Sequence, residues 1–229
     1  MARDFVNGQK NNKKGYRFLL SLNEEQKLAK ARILENDVSI ILGKAGSGKT
    51  LLACQIALQA LLDKDVNRLI ITRPTVSKEE IGFLPGDLNA KMEPWTRPLF
   101  DVLKEYYSTK EIARMLEEET IEISPLAFMR GRTFKKAWIV ADEMQNATPS
   151  QMKMLLTRLG EGSKIVVTGD VKQADRSDVK NGLLNLSSLI GGHLFDEKKL
   201  NFIRSCQFSN KDIERHPAVT EVLELYGEK

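Results

Sequence analysis

Short apolar runs that end in glycine, threonine or an acid recur along the chain, separated by longer segments of mixed polarity. Val38 to Leu42 is nearly all apolar and leads into glycines, the pattern of a strand buried on both faces that enters a tight loop. Arg68 to Thr72, Ile121 to Ile123, Ala137 to Ala141 and Lys164 to Thr168 predict four further strands. Ahead of the first strand, Asn23 predicts a helix cap with Gln26 reaching back to it, and the helix extends to about Glu35. Leu51 to Leu62 predicts a helix of mostly apolar residues. Thr148, Pro149 and Gln151 open another, whose apolar Met152, Leu155, Leu156 and Leu159 run up to Gly160. Strands alternating with helices imply an α/β fold with a parallel sheet covered on both faces and joined by right-handed crossovers.

Composition narrows the class. The chain has 229 residues, 41% hydrophobic and 29% charged, enough for one sizeable core. We therefore expect one domain over residues 21–229, preceded by an arm over 1–20. No run approaches the roughly 20 apolar residues of a membrane span, and Met1 to Gly15 has no apolar stretch behind its basic residues. A cytoplasmic protein with no membrane partner is expected. The net charge of +4 is matched by the arm alone, where Arg3, Lys10, Lys13, Lys14 and Arg17 face only Asp4. Such an arm either tracks nucleic-acid phosphates or is simply solvated. Cys54 and Cys206 stand far apart without neighbouring ligands, which excludes a disulfide framework or a zinc site and predicts buried thiols. His193 and His216 lie on separate segments and predict no imidazole metal site.

Three segments carry chemistry. Gly43-Lys44-Ala45-Gly46-Ser47-Gly48-Lys49-Thr50 fits the phosphate-binding pattern G-x-x-x-x-G-K-[ST], with a strand before it and a helix after it. That setting aims backbone N–H groups and the positive helix terminus at phosphate oxygens. Lys49 is expected to pair with the outer phosphates, Leu51 to follow within the nucleotide site, and the Thr50 hydroxyl to bind magnesium. Asp142 and Glu143 end the Ala137 to Ala141 strand. Asp142 is suited to ordering the metal shell and Glu143 to orienting or deprotonating a water. Gln173, after Thr168-Gly169-Asp170, is a neutral amide able to contact both phosphate and water without titrating.

These segments, together with Thr72-Arg73-Pro74, Gly82-Phe83-Leu84-Pro85-Gly86-Asp87, Pro125 to Thr133, Asp142 to Asn146, Gln151 to Arg158 and Arg215-His216-Pro217, resemble the PhoH family of ATPases in content and order. The resemblance covers the chain from about Asn23. It implies a RecA-like P-loop fold related to the first motor domain of superfamily one helicases, with ATP and Mg2+ as cofactors. Met144 and Ala174 to Ser177 depart from the family pattern, which leaves the phosphate chemistry intact and bears on how the Gln173 loop meets a partner. By the same analogy Gln26 would read the adenine edge, although a Gln there equally suits the helix cap, and Thr72-Arg73-Pro74 would face nucleic acid. Arg130 and Arg132 are either contacts or solvated arginines. Trp95, Phe100, Tyr106 and Tyr107 suit base stacking, but their helical spacing favours core packing.

Helicases of the resembled class bind ATP between two motor domains. The stretch after Gln173 is too short for a second domain of about 100 residues. A homo-oligomeric ring, a hexamer on this reading, would supply an arginine in trans, with Arg158, Arg204 and Arg215 as candidates. Two functions follow: ATP hydrolysis coupled to single-stranded RNA or DNA, or an ATP-dependent switch or assembly factor acting on proteins. A small-molecule kinase is disfavoured by Glu143, which would promote wasteful hydrolysis.

Overall fold

The computed structural model describes residues 22–44, 46–74, 97, 100–173, 181–196, 199–208, 221–222 and 225. Among the described residues six strands form one sheet in the order β3-β2-β4-β5-β1-β6, every pairing parallel. They are β1 (Val38–Leu42), β2 (Arg68–Arg73), β3 (Ile121–Pro125), β4 (Ala137–Ala141), β5 (Lys164–Gly169) and β6 (Ile203–Gln207). Helices bounded within the described residues are α1 (Glu24–Glu35), α2 (Lys49–Leu62), α3 (Thr109–Glu117), α4 (Pro149–Leu156) and α5 (Gly182–Phe195).

Alternation along the strands explains the layers. Ile41, Leu69, Ile71, Trp138, Val140 and Val166 pack with α1 and α2 on one face. Their sequence neighbours Ile40, Leu42, Ile70, Ile139, Ile165 and Val167 pack on the other face with Met152 and Leu155 of α4 and Leu183 of α5. Side chains of one strand point to opposite faces, so runs that are apolar at every position need cover on both. The nearly all-apolar α2 is buried along most of its length, with Ala53, Ala57 and Ala60 permitting close approach to the sheet.

Capping follows the sequence. Asn23 Oδ1 accepts the Gln26 N–H at 2.8 Å, and Gln26 Oε1 accepts the Asn23 N–H at 3.2 Å. Thr148 and Gln151 make the same reciprocal pair at the start of α4. Two expectations change. The helix predicted to reach Gly160 stops at Leu156, because Phe134 N–H donates to Arg158 O at 2.9 Å and Gly160 N–H donates to Phe134 O at 2.8 Å. Those bonds pull 158–160 into a short parallel bridge. The sheet also has β6, absent from the predicted strands, beside β1 at its edge.

Cys54 and Cys206 are both buried free thiols, and burial pushes the Cys54 thiol well above its ordinary range. Phe100, Tyr106 and Tyr107 are partly buried against the core, as the packing alternative expects; Trp95 lies outside the described residues. Among the described residues no helix is long and apolar enough to cross a membrane.

Candidate functional site at the carboxyl ends of the strands

β1 sits between β5 and β6 while the chain leaves it for β2, on the far side of β4, so a crevice opens at the carboxyl ends of β1, β4 and β5. Open α/β sheets bind ligands at such switch points. A cavity of about 280 Å³ lies there, lined by Gly46, Gly48, Lys49, Thr50 and Leu51 from the glycine loop. Asp142, Glu143, Gly169, Asp170 and Gln173 line it from the ends of β4 and β5. The sequence placed these groups on three separate segments, and the sheet brings them to one opening. A larger cavity of about 530 Å³, floored by Trp138, opens at the amino ends of the strands, but it has no glycine loop and none of the predicted groups. The smaller one carries the chemistry.

Gly48 has φ 77° and caps α2, a left-handed conformation that a side chain would strain. The turn lets Lys49 and Thr50 form the first residues of α2 with their side chains at the cavity. Lys49 is buried, and its Nζ folds back to donate to Lys44 O at 2.7 Å and Ser47 Oγ at 3.3 Å. Burial lowers its pKa, while Asp170, Asp142 and Glu143 act in the opposite direction. Gly43 N–H donates to Gly169 O at 3.3 Å, anchoring the loop's start to β5. Gln26 serves the cap and also donates from Nε2 to Ser47 O at 3.4 Å, so the helix ahead of the sheet touches the glycine loop. Ala45 lies outside the described residues.

Asp142 is half-buried, and its Oδ1 accepts hydroxyl donations from Thr50 at 2.8 Å and Thr168 at 2.5 Å. Hydroxyl and carboxylate oxygens that close make a hard-oxygen pair of the kind that holds magnesium. The donor set therefore fits a magnesium ion, which Thr50 and Asp142 would hold. Glu143 follows with φ 53°, a left-handed backbone for a residue with a side chain. Its Oε2 accepts from Gln145 Nε2 at 2.5 Å. Gln173 is exposed at the rim, its N–H donating to Asp170 O at 3.1 Å.

Thr168 and Gln145 are site residues to which sequence reasoning gave no role. A threonine in the last turn of an apolar strand beside the acid strand, and a glutamine two residues after Glu143, were the available signals. Asp170, buried at 6% exposure, also belongs to the lining.

Arg158 and Arg204 stand outside this cavity. Arg158 donates from Nε to Met154 O at 3.1 Å and from Nη1 to Arg132 O at 3.2 Å, near the amino end of β4. Arg204, on the edge strand β6, donates from Nη1 to Ile203 O at 2.9 Å and to Leu200 O, which precedes the strand. Arg215 lies outside the described residues. Thr72 is fully buried, which leaves Arg73 as the partly exposed member of Thr72-Arg73-Pro74. Arg132 pairs with Glu122 and stacks over Phe134 at 4.6 Å, whereas Arg130 is exposed.

Comparison with known proteins agrees with this arrangement. The large terminase of a thermophilic bacteriophage superposes with a TM-score of 0.54 at 13% identity, over 90% of this chain and 50% of that one. Its ADP complex gives 0.53 at 14% identity, over 88% and 49%. At these identities the likeness establishes the P-loop NTPase fold alone. In sequence, the chain is 44% identical over 195 residues to a PhoH-like protein of Synechocystis, covering 85% of this chain and 58% of the relative. It is 42% identical over 201 residues to a PhoH-like protein of Bacillus subtilis, covering 87% and 61%. With protein PhoH of Escherichia coli the identity is 43% over 160 residues, 69% of this chain and 45% of the relative. The chain thus spans about half to three fifths of the length of these relatives. A family model described as PhoH-like protein matches residues 19–227. With that match covering nearly the whole sheet and every segment of the site, the chain belongs to the PhoH-like protein family.

Proposed function

We propose that the chain hydrolyses ATP with magnesium and couples turnover to single-stranded RNA or DNA. The observation that carries the hydrolysis is the Thr50 hydroxyl seated 2.8 Å from Asp142 Oδ1, beside Lys49 and next to Glu143. Bound magnesium would supply charge neutralisation between phosphate oxygens and the protein. Gly46 to Thr50 offer backbone N–H groups to the phosphates, and Lys49, released from Lys44 O, offers its ammonium. Asp142 and Thr50 orient their oxygens toward the metal position. Glu143 holds a water on the open side of the cavity and takes its proton, and Gln173 at the rim contacts the terminal phosphate.

Nucleic-acid coupling has separate support. Arg73 pairs in register with Pro125, and the exposed Phe128 and Arg130 follow Pro125 within five residues, so all three lie in segments at the carboxyl ends of β2 and β3, the same end of the sheet as the nucleotide cavity. Cations with an exposed aromatic suit a single strand, whose bases stack and whose phosphates need charge. No arginine lines the cavity among the described residues, which supports a homo-oligomeric ring with a neighbour's arginine in the site. Alanine at Arg158, Arg204 or Arg215 would then abolish turnover in one of the three while sparing nucleotide binding.

Steady-state ATP hydrolysis by wild type and Glu143→Gln, with single-stranded RNA or DNA at two salt concentrations, tests the reading. Turnover that needs Glu143 and rises with one nucleic acid, less so at high salt, supports it. Glu143-dependent turnover indifferent to both nucleic acids would replace the coupling with a protein-directed switch. Turnover independent of Glu143 would refute the catalytic assignment.

A further inference from the structure

Gln145 is buried at 4% exposure, in the first turn beyond β4. A primary amide is costly to bury unless its donors and acceptor find partners. Here Nε2 donates to Glu143 Oε2 at 2.5 Å, and Oε1 accepts the Asp170 backbone N–H at 3.2 Å. One side chain thus joins the carboxylate beside Asp142 to the first residue of the loop after β5. That loop continues to Gln173, whose N–H donates back to Asp170 O. The joint has no slack. A Cβ at Gly169 would stand 2.5 Å from Gln145 Oε1 and 2.6 Å from Leu183 Cδ2, so only glycine leaves room for the amide. Glu143, at φ 53°, occupies a left-handed backbone conformation that strains a residue with a side chain, and something must hold its carboxylate in direction.

We infer that Gln145 is a positioning residue for hydrolysis, fixing where the Glu143 carboxylate points and linking that direction to loop 170–173. The inference rests on the ATPase reading above and names a component which that reading does not contain. A water-orienting carboxylate acts only within a narrow range of position, because a displacement of about 1 Å can cost a hundredfold in rate. A neutral amide is well suited here, since it donates to the anion without bringing a charge that would compete for the metal. Because its other end is bonded to Asp170, a shift of loop 170–173 on contact between Gln173 and phosphate turns the amide, and Glu143 moves with it. Nucleotide sensing and water orientation then share one hydrogen-bonded path of two side chains.

Two substitutions in the full chain separate the roles of the amide. Gln145→Met keeps the volume and removes both bonds; Gln145→Glu keeps an acceptor for Asp170 N–H but sets a carboxylate against Glu143. Both should lower kcat for ATP at least tenfold, while the Kd of a fluorescent ATP analogue with magnesium stays within about threefold of wild type. Adding Gln145→Met to Glu143→Gln should cost less than a further twofold, since residues acting as a unit are not additive. In the nucleotide-free protein, the side-chain amide resonance of Gln145 should move on Glu143→Gln, a readout independent of turnover and of how the Gln145 variants fold. Wild-type kcat in either Gln145 variant, a multiplicative loss in the double variant, or an unmoved amide resonance would overturn the inference and leave a Glu143-dependent ATPase standing. Turnover indifferent to Glu143 would instead overturn both readings.

Discussion

Asp142 Oδ1 accepts two hydroxyls at once, and the two donors should respond differently to ligand. Thr168 is fully buried in β5, and Thr50 is half-buried at the start of α2. Valine in place of Thr168 preserves shape and deletes one charge-assisted hydrogen bond, worth about 1.5–3 kcal/mol in general. Asp142 retains Thr50 and some exposure, which places the cost near the lower end. For a chain of this length about 2–4 °C accompanies each kcal/mol, so the nucleotide-free midpoint should fall by about 3–6 °C. Thr50→Val deletes the more exposed bond and should cost the same or less in that state. Magnesium nucleotide separates them. On the proposed function Thr50 turns to the metal while Thr168 keeps its grip on Asp142. Ligand at 100 times its Kd adds about 2.7 kcal/mol to a protein that binds it. Thr168→Val should therefore retain most of the upward shift produced by a non-hydrolysable ATP analogue, and Thr50→Val should lose it. Thermal melts in EDTA and in magnesium with the analogue read both quantities. A Thr168→Val midpoint equal to wild type in EDTA, or a full ligand shift in Thr50→Val, would refute the assignment of these two hydroxyls.

Gly169→Ala forces its Cβ against Gln145 and Leu183, and overpacking of this kind costs about 1–3 kcal/mol. It should lower the thermal midpoint and reduce ATP turnover at least tenfold; turnover at the wild-type rate would show that the contact yields without consequence. Cys54 and Cys206 are buried, and burial holds the Cys54 thiol in its unreactive protonated form. Neither should react with a disulfide reagent at pH 8 on the timescale of minutes until the protein is unfolded, and rapid labelling of the native chain would contradict the packing.

The strands buried on both faces are the most legible in the sequence, and the edge strand β3 was read from the short run Ile121 to Ile123. β1, β4 and β5 read as apolar at nearly every position because helices cover both sides, and the acids and glycines that end them mark the carboxyl edge. β6 was not legible: Ile203-Arg204-Ser205-Cys206-Gln207 lacks an apolar run, and its strand character comes from pairing with β1 at a sheet edge. α4 reads three residues too long because Leu159 keeps the helical period while its backbone is taken by Phe134. The glycine loop and the Asp142-Glu143 pair were legible because their chemistry demands fixed residue types at fixed spacing. Gln145 and Thr168 were not, since a glutamine or threonine acquires its role here from what lies across the sheet. Gln26 serves the cap that the sequence offered and also makes a contact it did not suggest: one end of its amide closes the helix cap and the other reaches the glycine loop.

Charge in the cavity bears on what form of nucleotide it accepts. Among the described residues three carboxylates, Asp142, Glu143 and Asp170, line it against the one ammonium of Lys49. The backbone N–H groups of the loop and the amino end of α2 add roughly half a positive charge. A free triphosphate would bring about four negative charges to an opening whose own balance is already negative. Burial lowers the Lys49 pKa, and the three acids act against that shift. On the proposed function Thr50 and Asp142 would hold a divalent cation, which would supply positive charge where repulsion is greatest, and Lys49 would then face the outer phosphates instead of Lys44 O. The metal complex should therefore bind more than tenfold tighter than free nucleotide, measured by titrating a fluorescent ATP analogue with magnesium and with EDTA. Asp142→Asn should narrow that gap by weakening the metal's hold and easing repulsion of the free triphosphate. Equal affinities with and without metal in the wild type would mean that the carboxylates face away from the bound phosphates and that the site operates by some other division of labour.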